Sequence, residues 1–229
     1  MTQHPLLPET WRIEAIAFDF DGTLARPVLD FALMGQRVGQ VLQRHMGTLP
    51  PRNSLPVMEW IDHSRALLHA TAPHHASTMH AEAHATLRAI EVEAASRTHL
   101  FPFTRPLLRQ LARRGIHTAI ITRNCPEAVR AVFPDVDDHC PCLLTRDDVP
   151  AVKPDPDHLL RALHTLGTRP HHALMVGDHP MDVITGQRAG TRTAGVASGE
   201  ASEAALHTAG ADIVAADCQH LMDLLSALR

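Results

Sequence analysis

The sequence predicts an α/β fold, a doubly wound parallel sheet with an inserted small all-α domain. Three observations predict it. Short apolar runs alternate with amphipathic segments along most of the chain. Helix start and stop residues bracket those segments. One stretch, from about Arg26 to Thr98, has helical periodicity and no strand-like run.

The first apolar run is Ile13-Glu14-Ala15-Ile16-Ala17-Phe18. The later ones are His117–Ile121, Cys142–Leu144, Ala173–Val176, Thr193–Val196 and Asp212–Ala215. Runs of this length, apolar on both faces, suit strands covered by helices on each side. Thr104 is placed to cap a helix carrying Leu107, Leu108 and Leu111, which Gly115 closes. Pro126 suits the first turn of a helix containing Val129 and Val132. Asp155 and Pro156 open one with Leu159, Leu160 and Leu163, closed by Gly167. Pro180 opens another that ends at Gly190. Strand and helix in repeated alternation make a parallel sheet with helices on both faces.

Within the insert, Phe31, Met34, Val38, Val41 and Leu42 recur at helical spacing. Val57, Trp60, Ile61, Leu67 and Leu68 do the same, as do Met79, Ala83, Leu87 and Ile90. Three or four helices with their own core are expected. The expected division is 1–25 with 99–229 as the α/β core, and 26–98 as the helical insert. An insert at the carboxyl end of a strand is expected to sit over the ligand site of such a sheet.

Composition narrows the function classes. Nearly half of the 229 residues are apolar, enough for a substantial core. The formal charge of −4 supplies no basic surface for nucleic acid. Eighteen histidines make that charge sensitive to mild acid. Four scattered cysteines suit a reducing cytosol, and Cys140-Pro-Cys142 has neither disulfide nor zinc-ligand spacing. Met1–Trp11 lacks a basic region followed by an apolar run, so it reads as no signal peptide. No run approaches a membrane span. A cytoplasmic monomer or homodimer is expected, with neither nucleic acid nor membrane as partner.

The cations are distributed unevenly: twenty arginines and one lysine, Lys153, in Val152-Lys153-Pro154-Asp155-Pro156. Lysine is a compact point charge and arginine a planar fork. A site with room for only the former keeps lysine while the rest of the chain drifts to arginine. Directly after the first strand comes Asp19-Phe20-Asp21-Gly22-Thr23-Leu24. Two carboxylates two residues apart point the same way in extended chain, and Gly22 permits a tight turn. Ile120-Ile121-Thr122 ends the second strand, and Gly177-Asp178-His179-Pro180-Met181-Asp182 follows a later one.

Asp19-Phe20-Asp21-Gly22-Thr23-Leu24 resembles the first motif of the haloacid dehalogenase-like superfamily of phosphohydrolases. Thr122, Lys153 and the Asp178/Asp182 pair resemble the second, third and fourth motifs, in the same order. The resemblance covers most of the chain. It implies a Rossmann-like core with a helical cap and chemistry that begins with Asp19 as nucleophile. Asp21 is implied as general acid, then general base. Lys153 is implied as a cation touching both Asp19 and the phosphate, with Thr122 offering its hydroxyl to a phosphate oxygen. Gly22, Thr23, Arg123 and Asn124 are further expected phosphate-binding positions. Mg²⁺ is implied on Asp19, Asp178 and the backbone carbonyl of Asp21, with Asp182 acting through water or by positioning its neighbours. A carboxylate attacking a phosphate dianion meets two like-charge repulsions, each about 4 kcal/mol at 4 Å and an effective dielectric near 20. Together they amount to almost six decades of rate, so cations are a requirement of the chemistry.

Within the superfamily, Asp21 argues against dehalogenation, because a halide leaves without a proton. The insert contains no lysine, which argues against the Schiff-base chemistry of phosphonate-cleaving relatives. Phosphoglycolate phosphatases and other small-phosphometabolite phosphatases share the layout, and a small phosphorylated metabolite is the expected substrate. The segment Leu24-Ala25-Arg26-Pro27-Val28-Leu29-Asp30-Phe31 departs from the small acidic and hydroxyl residues common there, with Arg26 at the hinge. The alternatives are a phosphomutase on sugar phosphates and an inactive phosphate-binding regulator. His80 and His84, i and i+4 on an expected helix near His74 and His75, have zinc-ligand spacing. No acidic or Cys residue is spaced to complete the set, so a chance pair in a His-rich chain is expected.

Overall fold

The structure, a computed structural model, describes residues 12–227. The Met1–Trp11 segment, read above for a signal peptide, lies outside the described residues. The chain divides into two compact units. One runs up to Pro27 and resumes at Thr98; the other is Val28–Arg97.

The first unit is built on β1 (Ala15–Phe18), β2 (His117–Ile121), β3 (Cys142–Leu144), β4 (Ala173–Gly177), β5 (Arg192–Val196) and β6 (Ile213–Ala215). They form one sheet in the order β3-β2-β1-β4-β5-β6, and every pairing is parallel. Successive strands therefore step outward from β1 first on one side and then on the other. This reversal leaves a crevice beyond the carboxyl end of β1, where ligands of doubly wound sheets bind.

Strand side chains alternate between two helical layers. Ile16, Phe18, Ile120, Leu174 and Val176 pack with Leu107, Leu108 and Leu111 of helix Thr104–Arg113 and with Leu221 and Met222 of helix Cys218–Ala227. On the other face Ala15, Ala17, Ala119 and Ala173 meet Leu159, Ala162 and Leu163 of helix Pro156–Thr165 and Ala189 of helix Pro180–Ala189. Alanine dominates that face of the central strands, so little side chain separates sheet from helix there. Among the described residues, no helix is long and apolar enough to cross a membrane.

The second unit contains helices α1 (Phe31–Met46), α2 (Val57–His69) and α3 (Pro73–Ala95). Asp30 caps α1 by accepting from the Leu33 amide at 2.9 Å. Its core joins Met34, Val38, Val41 and Leu42 to Val57, Trp60 and Ile61, and both sets to Met79, Ala83, Leu87 and Ile90. Phe31 and Leu67 share the sequence periodicity but are 46% and 48% exposed, outside that core. Their neighbours Leu29 and Leu68 do pack against that core, so Phe31 and Leu67 are turned to the outer side of the chain there.

In the first unit the helices that follow β2, labelled α5 (Pro126–Val132) and α6 (Val136–His139), come after α4 (Thr104–Arg113). The helices α7 (Pro156–Thr165), α8 (Pro180–Ala189), α9 (Glu203–Thr208) and α10 (Cys218–Ala227) complete it. Thr104 does not cap α4. It is the first helical residue, and its buried hydroxyl donates to the Leu24 carbonyl at 2.6 Å. A cap needs non-helical backbone one position earlier. Phe103, in that position, is itself helical (φ −77°, ψ −17°), and the Thr104 hydroxyl instead ties α4 to the loop after β1. Asp155 does cap α7, accepting from the Asp157 amide.

Candidate active site

Three strand ends and the first turn of one helix supply the acidic and hydroxyl groups expected from the sequence. The Asp19 amide donates to the Val176 carbonyl at 2.8 Å, extending the β1–β4 ladder one residue past Phe18. Asp19 is thus held by the sheet itself, with its side chain in the crevice. Thr122 is held in the same way, its amide donating to the Leu144 carbonyl at 3.0 Å. Asp178 follows β4 directly, and Asp182 lies in the first turn of α8.

After Asp19 the chain turns on itself. The Gly22 amide donates to the Ala25 carbonyl, and the amides of Leu24 and Ala25 both reach the Phe20 carbonyl. Gly22 has φ +82°, a conformation that favours glycine. A Cβ there would also lie 2.4 Å from an Asp178 oxygen. Only glycine lets this turn press against Asp178. Thr23, fully buried, directs its hydroxyl to Asp178 Oδ1 at 3.4 Å.

Lys153 crosses the site. Its Nζ donates to Asp19 Oδ1 at 2.5 Å and to Asp182 Oδ1 at 2.7 Å, and the residue is 3% exposed. It sits in the loop before α7, where the Lys153–Pro154 peptide is cis. Asp182 has a second engagement: its Oδ2 accepts from the His179 amide, while His179 Nδ1 accepts from the Met181 amide. His179 therefore caps α8, and the cap fixes the Asp182 carboxylate that holds Lys153.

The electrostatics follow from burial. Three buried carboxylates, Asp19, Asp178 and Asp182, surround one ammonium, and one oxygen from each lies within 4.8 Å of the others. Burial pushes the Asp19 carboxyl up; Lys153 opposes this, while Asp182 and Asp178 add to it. Asp178 is pushed up by burial and by Asp182. Burial acts against the Lys153 charge, but Asp182 and Asp19 outweigh it and hold the ammonium above its ordinary range. The group is short of positive charge. A hard oxygen donor set with an excess of buried negative charge fits a divalent cation of the Mg²⁺ kind.

Asp21 stands at the mouth, half-buried, and Asn124 Nδ2 donates to its Oδ2 at 3.0 Å. Asn124 is itself held by the Cys125 amide on its Oδ1 and by its own amide on the Thr122 hydroxyl. Asn124 thus orients Asp21 directly. Arg123 turns to the lysine loop, donating to the Lys153 carbonyl at 2.7 Å.

Sequence reasoning missed the loop after β5. Ser198 donates its hydroxyl to the Gly22 carbonyl at 2.7 Å, and the Glu200 amide donates to Asp178 Oδ2 at 3.0 Å. A Cβ on Gly199 would lie 1.8 Å from the same oxygen. The available signal was the run of small residues Ala197-Ser198-Gly199 at a strand's carboxyl end.

The chain is similar to several known proteins. The chain is 40% identical over 91 residues to the pyrophosphatase PpaX of Bacillus cereus (strain B4264), 39% of this chain and 42% of that one. The chain thus spans about two fifths of that relative's length. A phosphonoacetaldehyde hydrolase-like protein from Oleispira antarctica superposes with a TM-score of 0.69 at 18% identity, over 95% of this chain and 92% of the other. A predicted phosphoglycolate phosphatase from Haemophilus somnus 129pt gives 0.64 at 17% identity, over 94% and 99%. These two likenesses establish the shared fold. The pattern of the family described as haloacid dehalogenase-like hydrolase matches residues 16–196. That match runs from inside β1 to the last residue of β5 and takes in all four motifs, so the chain belongs to the haloacid dehalogenase-like hydrolases.

Proposed function

We propose that the protein is a Mg²⁺-dependent phosphatase that hydrolyses a small phosphorylated metabolite through an aspartyl-phosphate on Asp19. The observation that carries this reading is the pair of bonds from Lys153 Nζ to Asp19 and Asp182. They hold a nucleophile and a cation together while Asp21, a second acid, stands two residues away.

In the first step an Asp19 carboxylate oxygen attacks phosphorus, and the bond from phosphorus to the ester oxygen breaks. Asp21 gives its proton to that leaving oxygen. In the second step Asp21, now a carboxylate, takes a proton from the water that attacks phosphorus. The bond to Asp19 breaks, phosphate departs, and both side chains return to their starting states. Asn124 keeps the Asp21 carboxyl oriented through both transfers. Lys153 offsets negative charge on Asp19 and the phosphate, and Thr122 offers its hydroxyl to a phosphate oxygen. Asp19, Asp178 and the Asp21 carbonyl would hold Mg²⁺, which supplies positive charge to the phosphate oxygens when bound. Asp182 acts by positioning Lys153.

Phosphoglycolate or a similar phosphomonoester is the leading substrate class, and the PpaX likeness adds pyrophosphate to the candidates. By its place in the sequence, Val28–Arg97 is read as the unit that selects substrate. It contains no lysine, so it offers no side-chain amine for a Schiff base. The test is release of inorganic phosphate from a panel of phosphomonoesters and pyrophosphate, with and without Mg²⁺. Mg²⁺-dependent release that Asp19→Asn abolishes supports the reading. Release unaffected by Asp19→Asn overturns it, and a rearranged sugar phosphate in place of free phosphate identifies a mutase.

A further inference from the structure

The helical unit brings together three metal-ligating side chains that sequence spacing does not connect. His80 and His84 are one turn apart on α3, so both imidazoles rise from the same side of the helix. The sequence offered no acidic residue at helical spacing to join them. The structure supplies one from the neighbouring helix. Ile61 of α2 packs in the core with Met79 and Ala83 of α3, and this contact carries Asp62 to the rim beside His80. One ligand atom from each of Asp62, His80 and His84 lies within 4.8 Å of the other two. His80 Nε2 and Asp62 Oδ1 are 3.0 Å apart. The His80 and His84 rings are 4.3 Å apart between centroids and tilted by 54°.

We infer that Asp62, His80 and His84 form a binding site for a transition-metal ion of the zinc class, bridging α2 and α3. The donor set decides the class. Two imidazoles and one carboxylate suit Zn²⁺, Co²⁺ or Ni²⁺, whereas Mg²⁺ prefers an all-oxygen shell. The distances fit as well. Two ligands about 2.0–2.1 Å from a tetrahedral ion are about 3.4 Å apart. The His80–Asp62 pair need only open by a few tenths of an ångström to admit the ion. The ion takes the place of the proton that the pair now shares in a hydrogen bond. Three protein ligands leave one tetrahedral position for water or an exogenous group. The Asp62 side chain is 64% exposed and that of His80 27%, so an ion can enter from solvent without rearranging the core.

The site differs in place and chemistry from the oxygen cluster at Asp19, and it stands or falls independently of phosphatase activity. A bound ion would tie α2 to α3, giving the helical unit a stability that depends on metal supply.

The test uses the full chain, stripped with chelator and then held in excess Mg²⁺ to fill the carboxylate cluster. Calorimetric titration with Zn²⁺ should give one ion per chain, and the thermal midpoint should rise. Asp62→Asn, His80→Ala and His84→Ala should each weaken binding at least tenfold and remove most of that rise. His69→Ala, changing an exposed histidine of the same unit, should leave both unchanged. Since these side chains lie at the rim, far-ultraviolet circular dichroism of each metal-free variant should match the parent. Co²⁺ provides a second readout: the wild-type complex should show the intense visible bands of a four-coordinate ion. Equal Zn²⁺ affinity in the three variants, or several weak equivalents spread over the chain's histidines, would overturn the proposal. So would a Co²⁺ spectrum no stronger than that of the hydrated ion.

Discussion

Gly199→Ala tests the acidic cluster through a residue that carries no chemistry of its own. The added Cβ would stand 1.8 Å from Asp178 Oδ2, 2.3 Å from its Cγ and 2.7 Å from its Cβ. Nonbonded heavy atoms around carbon settle at about 3.5 Å, so the carboxylate or the loop must retreat by more than ~1 Å. If the carboxylate swings away, Asp178 leaves the group it forms with Asp19 and Asp182, and the Glu200 amide loses its 3.0 Å acceptor. If the loop moves, the same bond breaks and the Ser198 tether to Gly22 is stretched. A 1 Å misplacement at a reacting centre costs about 100-fold in rate, close to 2.7 kcal/mol of barrier. The lost bond to a charged acceptor costs about 1.5–3 kcal/mol of stability. The assay is phosphate release across a Mg²⁺ titration, paired with urea unfolding to show that the variant is folded. The expected result is kcat/KM lower by two decades or more, with a higher Mg²⁺ half-saturation. A folded variant with kcat/KM within threefold of wild type and an unchanged Mg²⁺ requirement would refute the assignment of Asp178 to the metal.

Lys153→Arg should give a folded protein that has lost most of its activity, because a planar fork cannot replace a point charge buried 2.5 and 2.7 Å from two carboxylates. Wild-type phosphate release by that variant would return the lone lysine to coincidence. Asn124→Ala should lower kcat about tenfold with little change in KM, since it releases Asp21 from its orienting bond; a change confined to KM would contradict this. His158 offers a test of stability against pH. Its Nε2–H donates to the Leu144 carbonyl, Nδ1 is buried without a partner, and burial depresses its pKa to about 4. The fold therefore favours the neutral ring. Its contribution is complete above the unfolded value of 6.5 and is lost as pH falls from there toward about 4. Relative to His158→Gln, wild type should lose about 2 kcal/mol between about pH 7.5 and about pH 5. Urea unfolding at both values measures it, and a constant difference between the two proteins would count against the buried neutral ring.

The strands were legible because a parallel sheet buries both faces of its strands and so requires apolar runs. Their observed ends fall within two residues of the expected ones. Thr104 was misread for a reason of the opposite kind. Its residue type fits a cap, but its hydroxyl is taken by Leu24, eighty residues earlier in the chain. His179 was overlooked as a cap because imidazole is not among the usual capping groups, although here its Nδ1 accepts as a carboxylate oxygen would. In each case local chemistry is the same and a distant partner decides which use is made of it.

The same distinction separates what could be read of the site from what could not. Asp19, Asp21, Thr122 and Asp178 stand at strand ends, and strand ends are marked in the sequence by the loss of apolar character. The bonds that aim these groups are not so marked. Asn124 reaches Asp21 across 103 residues, Lys153 reaches Asp19 across 134, and Ser198 reaches Gly22 across 176. Sequence order can place the reacting groups, while orientation depends on contacts that exist only after folding. A variant such as Gly199→Ala, which removes none of the acids of the site and presses on Asp178 only through the fold, is therefore a sharper probe of how the site is held than removal of the acids themselves.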